Sequence, residues 1–181
     1  MERDRPGANS RGTGVQCTVT DSDSSRLRLS ALNALARREH SRAELYQKLA
    51  TSENKGVLEA VLDRLQEQGL QSDQRFAESY CHSRMARGYG WLQIAQGLRS
   101  KGIARELVEQ VRSNIDADWF TLAVDAAVRR FGRRPCQDDR DKARRIRFLQ
   151  YRGFTGEQVR HALEVMAQDG DEPGKDLHPG G

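Results

Sequence analysis

The side chains best suited to chemistry in this sequence are its cations. Residues 129–152 hold ten Lys and Arg (Arg129, Arg130, Arg133, Arg134, Arg140, Lys142, Arg144, Arg145, Arg147 and Arg152) against three Asp. Such a concentration can neutralise phosphates or face carboxylates on a protein partner; its plainer reading is a solvated helix face and loop. A second group is Tyr89 and Trp91 around Gly90, beside Arg84 and Arg87. Aromatics next to arginines stack on bases or anchor interfaces, although Trp91 suits a core position at the start of its helix equally well. An aromatic content of 6% argues against a dedicated stacking platform. Lys101 and Arg152 fall in the last turns of helices, where a cation also offsets the helix dipole.

Other chemistries find no constellation. There is no Walker-type phosphate loop, G-x-G-x-x-G or nucleophile elbow, and Gly88-Tyr89-Gly90 joins two helices rather than a strand and a helix. Asp138, Asp139 and Asp141 could suggest a Mg²⁺ site, but at a helix start carboxylates more often stabilise exposed N–H groups. Cys17, Cys81 and Cys136 are odd in number and lack a C-x-x-C, and His40, His82, His161 and His178 show no ligand spacing. Disulfides and structural zinc are not expected; no cofactor, no metal and no catalytic residue is expected, and the chain reads as a non-enzyme.

Composition agrees with a thin helical protein. Among 181 residues 36% are hydrophobic and 31% charged, with a mean hydropathy of -0.80. That is too polar for one thick core and suits small modules. The net charge of +4 hides an asymmetry: residues 26–167 carry 26 Lys and Arg against 18 Asp and Glu, while both ends are acidic. A basic body favours nucleic acid or an acidic protein surface. Met1-Glu2-Arg3-Asp4-Arg5-Pro6 has no apolar segment after its charges, and no run approaches membrane-spanning length, so a cytoplasmic protein without membrane contact is expected.

A 3.6-residue period runs between two tails, residues 1–25 and 168–181, that read as disordered. Leu29, Leu32, Leu35 and Ala36 mark a first helical face. Ser41 and Glu44 form a capping box opening a second helix with Leu45 and Leu49 inward, and Val57, Leu58, Val61, Leu62 and Leu65 mark a third. A second unit opens near Ser72-Asp73, with Phe76, Tyr80 and Arg84 at i, i+4, i+8. It continues past Gly88-Tyr89-Gly90 through Trp91, Ile94, Ala95 and Leu98, then Leu107, Val108 and Val111. A third unit has Trp119, Phe120, Ala123, Ala127 and Phe131 before Gly132, then Ala143, Ile146 and Leu149, then a capping box at Thr155–Gln158 leading into Val159, Ala162, Leu163 and Met166.

One stop signal recurs. Leu65 with Gly69-Leu70, Leu98 with Gly102-Ile103, and Leu149 with Gly153-Phe154 share the spacing of a Schellman motif. Two of these ends close a middle helix, whereas the first closes a third helix. Leu49, Leu98 and Leu149 nevertheless occupy matching places on the middle helices. The expectation is an all-α tandem array of three three-helix repeats, elongated and curved, over residues 26–71, 72–115 and 116–167.

The sequence resembles the RecX family, regulators of the RecA recombinase. The resemblance lies in Leu65 through Phe76, Ser83-Arg84, Gly88-Tyr89-Gly90, Ile94, Leu98, Lys101-Gly102-Ile103 and Phe148 through Phe154, and covers about residues 26–167. Departures are Trp91 where the family usually has proline, Gly97 where it has Glu, Gln71-Ser72-Asp73 for L-D-D, and Thr51 through Gly56 for a short Gly-hydrophobic turn. The resemblance implies binding along the groove of the RecA–DNA filament and lowering of RecA's ATPase, strand-exchange and co-protease activities. DNA would be contacted weakly or through RecA, and a monomer is expected. Arg75, Arg84, Arg87, Tyr89, Lys101, Arg144, Arg145 and Arg152 are the expected contact residues. The competing reading is a helix-turn-helix protein acting directly on duplex DNA, although no single helix gathers Arg, Asn and Gln on one face.

Overall fold

In a computed structural model, which describes residues 21–168, the chain is entirely helical among the described residues. The helices are α1 (Asp21–Leu35), α2 (Arg42–Leu49), α3 (Lys55–Glu67), α4 (Asp73–Ala86), α5 (Trp91–Ser100), α6 (Arg105–Asn114), α7 (Trp119–Phe131), α8 (Asp139–Tyr151) and α9 (Gly156–Gln168). They fall into three units of three, and every helix pair in broad contact lies within one unit. Each unit has its own core: Leu45, Leu58, Leu62 and Leu65 in the first; Phe76, Trp91, Ile94, Leu98 and Val108 in the second; Leu149, Phe154, Val159 and Met166 in the third.

Two expectations change in unit one. Residues 21–25, read as tail, belong to α1, whose first turn carries Asp21 and Asp23, where carboxylates favour the exposed N–H ends. Most of both tails lies outside the described residues, as does Cys17. The face of α1 is also rotated. Ala31 and Ala34 are buried, Leu32 and Leu35 sit at the edge of the core, and Leu29 is 60% exposed. Two alanines in line let α1 lie close against its neighbours, which leaves no room for a leucine there.

The helix stops follow the predicted pattern. Leu70, Ile103 and Phe154 donate their amides to Leu65, Leu98 and Leu149 at 2.9, 3.2 and 3.1 Å, and Gly69, Gly102 and Gly153 have φ of 67°, 77° and 88°. A fourth motif, not anticipated, ends α4: Tyr89 donates to the Arg84 carbonyl at 3.1 Å with Gly88 at φ 75°. Ile103 and Phe154 fold back into their cores, whereas Leu70 remains 41% exposed. Of the two capping boxes, the one at Thr155 is reciprocal, with Thr155 N to Gln158 Oε1 at 2.9 Å and Gln158 N to Thr155 Oγ1 at 3.3 Å. At Ser41 only half of the box forms, because the Glu44 carboxylate is drawn to Arg38 and Lys101.

Neighbouring units join by one repeated device. The N-terminus of each middle helix seats on the C-terminus of the next middle helix. Ser41, the N-cap of α2, donates its hydroxyl to the carbonyl of Lys101, the C-cap of α5, at 2.8 Å. Gly90, the N-cap of α5, donates its amide to the carbonyl of Arg152, the C-cap of α8, at 2.8 Å, and Leu92 N reaches the Gly153 carbonyl at 3.1 Å. A hydroxyl at the first seat and free N–H groups at the second thus satisfy free carbonyls of the following helix. A Cβ on Gly90 would lie 2.4 Å from the Gly153 carbonyl oxygen, and one on Gly153 would lie 2.4 Å from Gln93 N. Both glycines are required by close backbone approach.

Candidate functional site

The seam between units two and three gathers the aromatic and cationic residues that the sequence singled out. Tyr80 and Arg84 lie four residues apart on α4, and Phe148 and Arg152 are similarly spaced at the end of α8, so each pair shares one helix face. The Schellman turn at Gly88 places Tyr89 between them. The result is a ladder: the Arg84 guanidinium lies 5.0 Å from the ring centres of both Tyr80 and Tyr89, and the Arg152 guanidinium lies 4.6 Å from Tyr89 and 5.1 Å from Phe148. Cations at this distance are attracted by the ring quadrupole.

Hydrogen bonds across the seam hold the ladder. Arg152 Nη1 donates to the Arg87 carbonyl at 2.7 Å, and Arg129 Nη1 donates to the Ala86 carbonyl at 3.0 Å, so two guanidiniums from unit three cap the end of α4. Two clefts flank the stack. One, of about 280 Å³, is lined by Tyr80, Arg84, Tyr89, Gln96, Ser100 and Lys101 among others. The other, of about 150 Å³, is lined by Arg87, Gly88, Ala126, Arg129, Arg130, Phe148 and Arg152. No carboxylate lines either one, and Arg84, Arg87, Arg129, Arg130 and Arg152 form no ion pair among the described residues.

The expected contact residues therefore divide. Arg84, Arg87, Tyr89 and Arg152 come together at the seam. Lys101 borders the first cleft but is ion-paired with Glu44, joining units one and two. Burial works to raise the Glu44 carboxyl, but hydrogen bonds and charge from Arg38 and Lys101 outweigh it and hold the group below the usual carboxylate range. Arg75 sits elsewhere, bonded to Glu39 at 2.9 Å and to the carbonyls of Gly69 and Leu70 at the end of α3. Arg144 pairs with Asp141 at 2.6 Å and faces Phe131.

Arg145 is a correction. It is 0% exposed, donates to Asp141 Oδ2 at 2.7 and 3.0 Å, and reaches the carbonyls of Arg134 and Pro135 at 2.8 and 3.1 Å. A side chain so enclosed faces no partner; it ties the loop before α8 onto that helix. Hydrogen bonding by Arg145 is the main reason the Asp141 carboxyl lies below its ordinary value. Asp138 is the N-cap of α8, accepting from Asp141 N at 2.6 Å, so the acidic cluster serves helix and ion pair. Trp91 is a core residue, in edge contact with Trp119 of the next unit at 5.9 Å.

Tyr80 and Phe148 complete the ladder, and Arg129 and Arg130 line the second cleft, none of the four being among the expected contact residues. The four-residue aromatic-to-arginine spacing, present in two units, was the available signal. Among the described residues no group of His, Cys, Asp and Glu could hold a metal ion, and no helix is long and apolar enough to cross a membrane. Cys81 is buried, which pushes its thiol up to about 12.

Comparison with known proteins agrees with this architecture unit by unit. Models of the first, second and third three-helix domains of RecX match residues 28–65, 72–111 and 116–163. The chain is 44% identical over 149 residues to the regulatory protein RecX of Halorhodospira halophila, covering 82% of this chain and 92% of the relative. It is 42% identical over 134 residues to that of Chromohalobacter salexigens, covering 74% and 88%. The fold resembles the crystal structure of RecX from Lactobacillus salivarius with a TM-score of 0.67 at 21% identity, over 81% of this chain and 98% of that one. Three consecutive domain matches and relatives aligned over most of both chains leave one conclusion: this chain belongs to the RecX family of regulatory proteins.

Proposed function

We propose that this protein binds the RecA–DNA filament as a cytoplasmic, monomeric, non-enzymatic regulator and mainly lowers RecA's ATPase, strand-exchange and co-protease activities. The observation that carries the reading, beyond family membership, is the seam of units two and three. There Arg84, Arg87, Tyr89 and Arg152 form a pre-arranged cationic surface with no carboxylate lining its clefts. A tandem array fits a helical filament because successive units can meet successive subunits. Arg75, Lys101 and Arg144 serve mainly to join elements, and they contribute less to binding than the seam.

A helix-turn-helix mode on duplex DNA is disfavoured by the third helices, which read the major groove in a three-helix unit. α3 exposes Glu59 and Asp63, α6 exposes Glu106 and Glu109, and α9 exposes Glu157 and Glu164, carboxylates that phosphates repel. The test is RecA ATPase and repressor cleavage with substoichiometric protein. Inhibition is expected, weakened at least severalfold in Arg84→Ala and Arg152→Ala and retained in Arg75→Ala. No effect of the parent protein at equimolar ratio would overturn the assignment.

A further inference from the structure

The two joints of the array are made differently. Units two and three meet largely through backbone: Gly90 N and Leu92 N donate to the Arg152 and Gly153 carbonyls, and two guanidiniums reach carbonyls at the end of α4. None of these contacts needs a carboxylate. Between units one and two, no backbone-to-backbone hydrogen bond crosses among the described residues. Side chains make that joint instead. Ser41 Oγ donates to the Lys101 carbonyl, Asp73 accepts from Arg42 N and Gln71 Nε2, and the ion pairs Lys101–Glu44 and Arg75–Glu39 span the gap. The glycines differ likewise. A Cβ on Gly102 would strike only the Ala43 side chain closely, whereas one on Gly90 or Gly153 would strike backbone.

The first joint also leaves polar atoms unmatched. Gln71 is 2% exposed, and its amide nitrogen donates to the His40 carbonyl and to Asp73, but its Oε1 has no partner. Glu39 Oε2, one residue before His40, is buried and likewise has none. A buried acceptor without a donor is costly, and water would satisfy it once the joint opened. The ion pairs oppose opening. Glu39, Arg75 and Lys101 are each partly exposed, however, so salt screens both pairs. We infer that the joint between units one and two is a hinge that rising ionic strength opens, while units two and three move as one block. Unit one turns about the connection at Leu70, Gln71 and Ser72. In the open form the two orphaned acceptors meet water, Arg75 parts from Glu39, and Lys101 parts from Glu44. Glu44 keeps Arg38, which lies on its own unit, and Arg75 keeps the Gly69 and Leu70 carbonyls of the connection. Opening therefore redirects unit one and releases a cation of unit two, Lys101, for outside partners.

The experiment is single-molecule energy transfer on the full chain, with dyes carried by ketone-bearing amino acids so that the cysteines stay untouched. One labelled pair, at exposed Glu59 and Glu106, spans the first joint; another, at exposed Glu109 and Glu157, spans the second. Salt is raised from about 0.1 to 1 M, which shortens the Debye length from about 10 to 3 Å. Across the first joint a second population should grow at least severalfold, while the second joint keeps one unchanged population. Glu44→Gln should raise the open population already at the lowest salt. Adding Glu39→Gln removes both screened pairs, so the open population should then be high and insensitive to salt, a loss of response that general damage to packing would not produce. Circular dichroism checks that each variant is folded, and the salt series on the parent chain needs no variant at all. One unchanged population across the first joint at every salt concentration would overturn the inference. So would an equal response at both joints, or a full salt response in the double variant.

Discussion

Arg144 and Arg145 are neighbours of identical type, and the structure gives them opposite roles, so replacing each in turn is informative. Arg145→Met keeps the aliphatic stem between Phe131 and Met166 while removing the charge. It breaks two hydrogen bonds to Asp141 and leaves the Arg134 and Pro135 carbonyls without this donor. Breaking a buried ion pair costs about 3–5 kcal/mol. Asp141 keeps its contact with Arg144, which places the expected loss near the lower end, about 3 kcal/mol. For a chain of this length that lowers Tm by about 6–12 °C. Arg144→Met removes one pair whose arginine side chain is 58% exposed, which is worth below about 1 kcal/mol. Differential scanning calorimetry distinguishes the two, and limited trypsin digestion after Arg133 should accelerate only in Arg145→Met. Equal Tm values for the two variants would refute the enclosed position of Arg145. Loss of RecA inhibition by Arg145→Met at a temperature where it is fully folded would refute its non-contact role.

Three further outcomes follow from the seams and the ion pairs. Gly90→Ala forces a Cβ against the backbone of Gly153 and Phe154; it should cost about 1–3 kcal/mol and separate calorimetric unfolding into two steps, whereas Gly56→Ala, with open space around it, should be neutral or stabilising. Ser41→Ala loses both the cap on Glu44 N and the bond to the Lys101 carbonyl, an expected 1–2 kcal/mol drop, of about the size of an N-cap loss, in urea denaturation. Glu44 and Asp141 have folded-state pKa values below their ordinary 4.5 and 3.8, so their stabilisation is complete above about pH 5 and is lost as pH falls through the folded values. The urea midpoint should therefore drop between pH 5 and pH 3, less so in Glu44→Gln, and a flat profile would contradict the pairing.

The fold could be read closely from the sequence because local chemistry specified it. Glycine stops and serine or threonine caps need only a few neighbouring residues, and they appear where expected at Gly69, Gly102, Gly153, Ser72 and Thr155. The stop at Gly88 escaped because the residue five positions before Tyr89 is Arg84, where the other three stops have leucine. The rotation of α1 escaped because leucine outweighs alanine in any hydrophobic pattern, while close helix approach favours the smaller side chain. Burial of Arg145 depends on a loop, 132–138, that folds over α8, and no local signal encodes that cover. A clue was present nonetheless, since Asp141, Arg145 and Leu149 step by four along the face that Leu149 commits to the core. The seam escaped for a different reason. Gly88-Tyr89-Gly90 and Arg152-Gly153-Phe154 were recognised as separate blocks, but only the folded chain shows that they touch.

The seats also explain the irregular first unit. A middle helix ends in a glycine stop where another unit must dock on it, as α5 and α8 do. No helix among the described residues docks on the end of α2, and α2 ends at an extended Ala50 without such a stop. At the other end α8 begins with its own side-chain cap, Asp138, followed by Asp139 and Asp141, where α5 relies on a neighbour's carbonyls. The described array thus has direction, because each joint runs from the N-terminus of one middle helix to the C-terminus of the next. Its first middle helix offers no glycine socket, and its last carries its own side-chain cap. It also predicts where length can vary: insertions between Thr51 and Asn54 fall outside any joint, whereas a single added residue beside Gly90 or Gly153 would put one half of a joint out of register with the other.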